Sequence, residues 1–258
     1  MIWKKALREN WWKAAVIFAL LELNLFASIL LYPDFQKQFG AIMQLALAKT
    51  PVVQKMLEMM GLGGFRGYFI AQHFFKGLSL LGTVAVVLLG SGFIGKEVES
   101  RTAEILLSRP VSRERILGSY FVVNALLLAG LVFLSTASAP WLSAVLIEET
   151  LEVGPLLLSA LHSTLFLVSL FAATLFVSSL SSEQAKTALF LGGFFLLMAL
   201  GYFIQTVNGY SIYKWNDLFL HQAILSTGRL PWEKDLFLLL GIGLLLGGSL
   251  WAFRRRDF

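Results

Sequence analysis

Two polar residues, Glu22 and Asn24, interrupt a long apolar stretch near the start of the sequence. An ionised carboxylate at the middle of a membrane helix costs on the order of 3 kcal/mol on insertion scales, so such a residue needs a reason to be there. Two interpretations are open. In the first, Glu22, with Asn24, is a cavity-lining or proton-sensitive group on a substrate path. In the second, Glu22 is protonated or bonds to a neighbouring helix as a structural contact.

Three methionines, Met56, Met59 and Met60, are spaced so that their thioethers share one face of a helix. Thioethers bind Cu(I), but methionine also serves as a flexible apolar filler. The chain has no cysteine and therefore no thiolate or disulfide. The sequence predicts no metal site, and these methionines are only weak candidates for one.

The histidines give little support to an enzyme. An intramembrane enzyme needs paired polar residues at one depth, such as a histidine with a carboxylate. His73, His162 and His221 lie in different segments without ligand spacing, and Glu22 is the only acid inside a predicted span. The glycines of GLGGFRG (61–67) lack the Lys-Ser/Thr end of a phosphate loop. We predict no catalytic residue and no cofactor bound by this chain.

Composition indicates a membrane protein. Hydrophobic residues are 57% of the chain and charged residues 14%, against about 25% charged residues in a globular protein. A membrane helix needs about 20 apolar residues. Six segments meet this length, approximately 14–32, 74–95, 116–138, 155–180, 187–206 and 235–253. The sequence predicts one all-α transmembrane domain over residues 1–258.

The placement of Lys and Arg predicts the orientation of the spans. With six spans both termini lie on one side, which receives thirteen of the 21 Lys and Arg residues. The positive-inside tendency therefore puts both termini in the cytoplasm of a multi-pass protein in the cell membrane. These residues beside the membrane also explain the net charge of +5, and we predict no nucleic-acid partner.

The first outer loop, residues 33–73, is too long and too apolar for a simple tether. Its apolar residues recur at helical spacing, which predicts one or two helices at the outer membrane surface, broken at Pro51. Between spans four and five, only the polar residues SSEQAK (181–186) interrupt the apolar sequence. These two spans should form a tight hairpin.

The cytoplasmic connection between spans two and three, residues 96–115, is dense in charge. Glu97 and Arg101 lie four residues apart in the order that stabilises a helix. Pro110 disfavours the α conformation at Arg109 and ends the helix there. We predict a short amphipathic helix, continuous with two membrane helices, that passes a push from a soluble partner into the bundle.

Two stretches of sequence carry a family resemblance. Residues 102–119 read TAEILLSRPVSRERILGS, and residues 253–258 read FRRRDF. They resemble the loop pattern E-x-x-x-G-T-x-x-x-L-L-S-x-P-V-S-R-x-x-I-L-G-S and the tail F-x-R-R-D-hydrophobic of the ABC-2 type transporter permeases. Arg101 departs from the pattern, since the family has glycine before the threonine. The six-span layout with its long first outer loop extends the resemblance over the whole chain.

The resemblance implies that Glu97 to Arg109 is a coupling helix, which docks in a groove of a separate nucleotide-binding subunit. Two ATPase subunits, holding ATP and Mg, would work with two permease copies or paralogues to export a substrate across the membrane. The residues expected at this ATPase interface are Glu97, Glu99, Arg101, Thr102, Glu104, Ser108, Arg109 and Arg113.

A second output is open within the same family. Some relatives transmit motion to an extracytoplasmic protein, as in the maturation of the copper–sulfur centre of nitrous-oxide reductase. The long outer loop and its methionines motivate this alternative, and a stable complex through residues 33–73 would favour it.

Overall fold

The computed structural model describes residues 2–43, 51–93 and 111–255 and contains no strand in these ranges. Its α-helices are α1 (Ile2–Met43), α2 (Pro51–Leu62), α3 (Gly64–Phe69), α4 (Gly82–Gly90), α5 (Arg113–Ile147), α6 (Val153–Leu180), α7 (Gln184–Tyr202), α8 (Leu218–Thr227) and α9 (Trp232–Arg254). A π-helix, Ile70–Leu81, joins α3 to α4. Two short 3-10 turns, Asn208–Tyr210 and Ile212–Asn216, precede α8. The predicted all-α class is confirmed.

Six helical segments in the described residues are long and apolar enough to cross a membrane, as predicted. They are α1, the continuous run Gly64–Gly90, α5, α6, α7 and α9. Successive spans alternate in direction. We call the end of the bundle where α4 and α9 finish and α5 begins the proximal end. The opposite end carries residues 203–231, which we call the distal cap.

The second span and α6 form the centre of the bundle. The most apolar stretches of these two spans are 72% and 67% buried, whereas those of the other four are 28–39% buried. The outer spans expose leucines such as Leu189 on α7 and Leu244 on α9. In a bilayer these side chains face lipid, because few charged residues are available to cover such a surface.

The first outer loop differs from its predicted bounds. Helix α1 continues through Pro33 and is 42 residues long, about 63 Å by the helical rise and about twice the hydrocarbon core. The second span begins at Gly64, ten residues before its predicted start. Polar residues lower the hydropathy of the span's first turns, so the sequence pattern did not include them. Aromatic packing against α1 makes these turns part of the span. The Tyr32 ring on α1 lies 5.0 Å from the Phe65 ring.

Helix α2 begins at Pro51, so this proline starts a helix in the outer loop. Proline suits the first helical position because its missing N–H would have no partner there. The hairpin between α6 and α7 is as tight as predicted, since only residues 181–183 separate the two helices. The Ser181 hydroxyl accepts a hydrogen bond from the Glu183 backbone N–H at 3.3 Å.

The π-helix gives the second span a wider turn over twelve residues, a conformation that is rare and often marks functional segments. It packs closely on α1. The Asn24 amide donates to the Gln72 carbonyl at 3.3 Å, and a Cβ at Gly77 would lie 3.2 Å from the Asn24 Nδ2 atom. The wide turn directs His73, Phe74 and Ser79 into the bundle, where all three are buried.

We predict that Gly90→Ala destabilises the bundle. An added Cβ would lie 2.5 Å from Thr174 Cγ2 and 3.2 Å from Phe171 Cε2, so α4 and α6 would have to separate. Overpacking of this kind costs about 1–3 kcal/mol, and thermal unfolding in detergent measures it. Gly130→Ala is the matched control, because nothing lies within 4 Å of its added Cβ. Equal unfolding temperatures for the two variants would contradict the close packing of α4 on α6.

Candidate functional site

Most of the predicted coupling interface lies outside the described residues. This is so for Glu97, Glu99, Arg101, Thr102, Glu104, Ser108 and Arg109. The coupling helix therefore stays a prediction. The structure does describe the two points where residues 94–110 join the bundle, the last turn of α4 and the first turn of α5.

Side chains from three other spans bind the end of the second span. The last carbonyls of a helix have no partner within it, and inside a membrane there is little water to replace that partner. Here three carbonyls accept hydrogen bonds from side chains of three different helices, α1, α5 and α6. The bonds are Lys13 Nζ to the Leu88 oxygen (3.1 Å), Tyr120 Oη to the Leu89 oxygen (2.6 Å) and Ser178 Oγ to the Ser91 oxygen (3.0 Å).

Two buried asparagines hold Tyr120 in place. The Asn10 amide donates to Asn124 Oδ1 at 2.8 Å and to the Tyr120 hydroxyl at 3.3 Å. The Asn124 amide in turn donates to the Tyr120 backbone carbonyl at 2.8 Å. Because buried amides without partners are costly, this arrangement specifies how α1, α4 and α5 pack at the proximal end.

Arg113 binds the start of α5 to the end of α9. Its guanidinium Nη1 donates to the carbonyl oxygens of Phe253 and, at 2.9 Å, of Arg254. The guanidinium carbon also lies 5.5 Å from the Phe253 ring centre, within the range of a cation–π interaction. The Arg254 Nε atom donates to Glu114 at 2.8 Å and completes the contact.

These two attachments together form what we call the proximal frame, which consists of the bonded last turns of α4 and α9 and the first turn of α5. Arg113 belongs to the charged loop pattern of the sequence, and Phe253 to its tail pattern. The two residues are 140 positions apart. The structure therefore brings both sequence patterns into one contact. Arg113, predicted at a partner's interface, binds the backbone of its own chain.

Glu22 and Asn24 lie on different faces of α1. The Ser138 hydroxyl on α5 lies 3.0 and 3.2 Å from the two carboxylate oxygens of Glu22, whereas Asn24 faces the π-helix through Gln72. The structure does not bring the two together into one polar site. Both make helix-to-helix hydrogen bonds, and the role of Glu22 on a substrate path stays a prediction.

The predicted methionine face falls on α2. Met60 is buried, while the side chains of Met56 and Met59 lie outside the described residues. Within the described part of the chain, no three His, Cys, Asp or Glu side chains are placed to hold a metal ion.

The distal end contains a buried polar cluster that the sequence analysis missed. His162, in the first half of α6, makes hydrogen bonds through both ring nitrogens. Its Nδ1 atom lies 2.6 Å from Asp235 Oδ1 on α9, and its Nε2 atom lies 2.8 Å from the Trp215 carbonyl oxygen in the distal cap. His162 and Asp235 are almost fully buried. The interpretation that Glu22 is the only acid inside a span is therefore wrong, since Asp235 lies in the first turn of α9.

His221 extends this cluster to the second span. Its Nε2 atom lies 3.0 Å from Asn216 Oδ1, and its ring stacks on Phe74 with centres 4.5 Å apart. The Asn216 amide donates to the Ser79 hydroxyl at 2.8 Å. We call His162, Asp235, Trp215, His221, Asn216 and Ser79 the distal cluster. It joins the cap to three spans.

Burial, with His162 and His73 nearby, holds the pKa of His221 well below its usual range. His221 is therefore neutral at physiological pH. A second buried acid lies nearby in the cap: Asp217 accepts hydrogen bonds from the Tyr202 hydroxyl and from the Lys214 ammonium at 2.9 Å. The two buried acids at the distal end, Asp235 and Asp217, thus have different partners.

Comparison with known proteins agrees with the sequence patterns. A family model described as ABC-2 family transporter protein matches residues 3–258. A search of the curated proteins found no match.

We predict that Arg113→Ala loosens the end of α9. Hydrogen bonds to a charged partner contribute about 1.5–3 kcal/mol, so amide hydrogen exchange of residues 250–254 should rise about tenfold or more. Mass spectrometry of the purified protein measures it. Arg115→Ala is the control, because Arg115 is exposed two positions further along α5. Equal exchange in the two variants would show that Arg113 does not hold α9.

Proposed function

Because the chain belongs to the ABC-2 family of transporter proteins, we propose that it is the membrane permease subunit of an ABC transporter. It couples ATP hydrolysis by a separate nucleotide-binding subunit to the export of a substrate. The family match over nearly the whole chain carries this proposal. Members of the family are typically non-catalytic membrane subunits, which agrees with the ATP and Mg being held by the partner.

The proximal frame supports a coupling role for residues 94–110. A segment that passes motion into the membrane has to be attached firmly at both ends. Otherwise the segment moves relative to the spans and the spans stay where they are. The last turn of α4 is bonded to α1, α5 and α6 before the segment, and Arg113 is bonded to α9 after it. Five of the six spans thus meet around the two attachments.

In this mechanism the ATPase binds the coupling segment differently in its two nucleotide states. That difference in binding shifts the permease between inward-facing and outward-facing arrangements, since a ligand moves an equilibrium only by its differential affinity. The ATPase contacts seven residues of this segment: Glu97, Glu99, Arg101, Thr102, Glu104, Ser108 and Arg109. Arg113 passes the movement to α9 through its carbonyl contacts.

The proximal end has room for such a partner. A hollow of about 580 Å³ opens beside the first turn of α5, and its lining includes Trp3, Glu114, Arg115 and Ser119. The working assembly contains two permease subunits, identical or paralogous, and two ATPase subunits. The exposed apolar faces of the outer spans contact membrane lipid and the second permease.

The alternative output is motion passed to an extracytoplasmic protein. One observation favours keeping it: α1 reaches Met43, well beyond the length that a bilayer requires. Together with α2 it forms a helical projection that a partner can bind. A stable complex through residues 33–73, with no transported substrate, would select this output.

We predict that the proximal end faces the cytoplasm. The chain has no native cysteine, so single cysteines report topology directly. Arg115→Cys should be protected from a membrane-impermeant maleimide in intact cells and labelled after the membrane is opened. Tyr210→Cys in the distal cap, where the side chain is 86% exposed, should be labelled in intact cells. The reverse pattern would eliminate the coupling role of residues 94–110.

We also predict that charge reversal in the coupling segment weakens ATPase binding. The double variant Glu97→Lys/Glu104→Lys should co-purify with at least about tenfold less ATPase than the wild type, as expected when charge pairs at an interface become repulsive. Glu148→Lys/Glu149→Lys is the matched control, because it makes the same charge change at the opposite end of α5. Unchanged assembly and ATP hydrolysis in the first variant would contradict the interface.

A further inference from the structure

A hollow at the distal end lies outside the distal cluster. Its volume is about 480 Å³, within the range of about 300–1,000 Å³ that is usual for small-molecule sites in proteins. Helix α2, the end of α7 and the distal cap all contribute to its wall. The lining includes Pro51, Lys55, Tyr202, Gln205, Lys214 and Phe219.

Two lysines give the hollow a positive charge. Lys55 is exposed on α2. The Lys214 ammonium is held in position by Asp217, to which it donates at 2.9 Å, and by the Tyr202 ring, whose centre is 5.8 Å away. An ammonium group has three N–H donors, so Lys214 keeps donors for a ligand. Among the described residues, no acidic side chain lines the hollow.

The charge balance selects the kind of ligand. The Lys214–Asp217 ion pair is neutral as a whole, so Lys55 leaves the site with one net positive charge. Both Asp217 oxygens already accept hydrogen bonds, one from the Tyr202 hydroxyl and one from Lys214. The exposed amide of Gln205 adds further N–H donors. A group with one negative charge and several acceptor oxygens fits these donors, and a phosphodiester is such a group.

The surroundings of the hollow favour a lipid as the source of this group. Leu200, in the last turn of α7, and Ile204, just beyond it, are more than half exposed and face lipid in a bilayer. Phe219 adds an exposed apolar ring to the wall itself. Trp215 and Trp232 are exposed at the same end of the bundle, and tryptophans concentrate at membrane–water interfaces. The hollow therefore lies near the depth of the lipid phosphates.

We propose that this hollow binds the headgroup of an anionic phospholipid from the leaflet at the distal end. Lys55 and Lys214 pair with the phosphodiester oxygens, one from α2 and one from the cap, so the bound lipid links these two parts of the protein. A phospholipid with a choline headgroup binds more weakly, because its trimethylammonium group repels the same lysines. This proposal is independent of ATPase coupling.

Protection of a cysteine tests the proposal on the purified full chain in a nonionic detergent. Gln205→Cys places a single thiol in the wall of the hollow, since the chain has no native cysteine. Dihexanoyl phosphatidylglycerol should slow its maleimide labelling about tenfold at about ten times the concentration that halves the rate, because only the unoccupied site reacts. Tyr210→Cys, exposed in the cap outside the lining, should keep its rate. Equal slowing of both thiols would overturn the proposal.

Charge reversal on α2 tests the role of Lys55. In the Gln205→Cys chain, Lys55→Glu should raise the lipid concentration that halves the rate by at least about tenfold, because an attractive charge contact becomes repulsive. Lys55→Arg keeps the charge and should keep the protection. Lys37→Glu makes the same change at an exposed position of α1 and is the matched control. The proposal fails if Lys55→Glu and Lys37→Glu behave alike.

Two further ligands separate an anionic lipid from its alternatives. Dihexanoyl phosphatidylcholine has the same chains with a headgroup of no net charge, and glycerophosphoglycerol has the same headgroup without chains. Both should need at least about tenfold higher concentrations, the first for lack of charge complementarity and the second for lack of buried CH₂ groups. Equal protection by the choline lipid would show that charge does not select the ligand. Equal protection by glycerophosphoglycerol would show that the site takes a soluble phosphodiester, and either result overturns the proposal.

Discussion

The need to satisfy backbone carbonyls at helix ends inside a membrane governs the proximal end of this protein. A helix end leaves carbonyls without partners, and lipid supplies none. The last turn of α4 meets this requirement with Lys13, Tyr120 and Ser178, each from a different span. The last turn of α9 meets it with Arg113. Because the donors come from other helices, satisfying the backbone also fastens the spans to one another, next to both ends of the segment that we assign to ATPase coupling.

The distal end solves a similar problem with different chemistry. There the bonds run mostly between side chains. His162 and Asp235 are buried together with Nδ1 and Oδ1 2.6 Å apart, whereas the proximal bonds run mainly from side-chain donors to carbonyl oxygens. The proximal frame thus fixes the backbone on both sides of the segment that we assign to ATPase coupling. The distal cluster fixes how the cap packs against α6, α9 and the second span.

Much of the architecture follows from local composition. Six apolar segments, the alternating spans and the tight turn at residues 181–183 are properties of neighbouring residues, and the charged loop pattern agrees with the family match. The start of the second span was not predictable in this way. Residues 64–73 contain Arg66 and His73, which lower their hydropathy, and they become part of a span because their aromatic side chains pack against Tyr32 on α1.

Hydrophobic length and short motifs, which are local along the chain, were enough to predict a six-span α-helical membrane protein of a transporter family. Which polar residues contact one another depends on how the spans pack. His162 and Asp235 are 73 positions apart, and Arg113 and Phe253 are 140 apart. In the sequence, His162 looked isolated, and Arg113 was predicted to contact the ATPase. Hydrogen bonds act over about 3 Å of space, and only the packing of the spans brings residues so distant in sequence within that range.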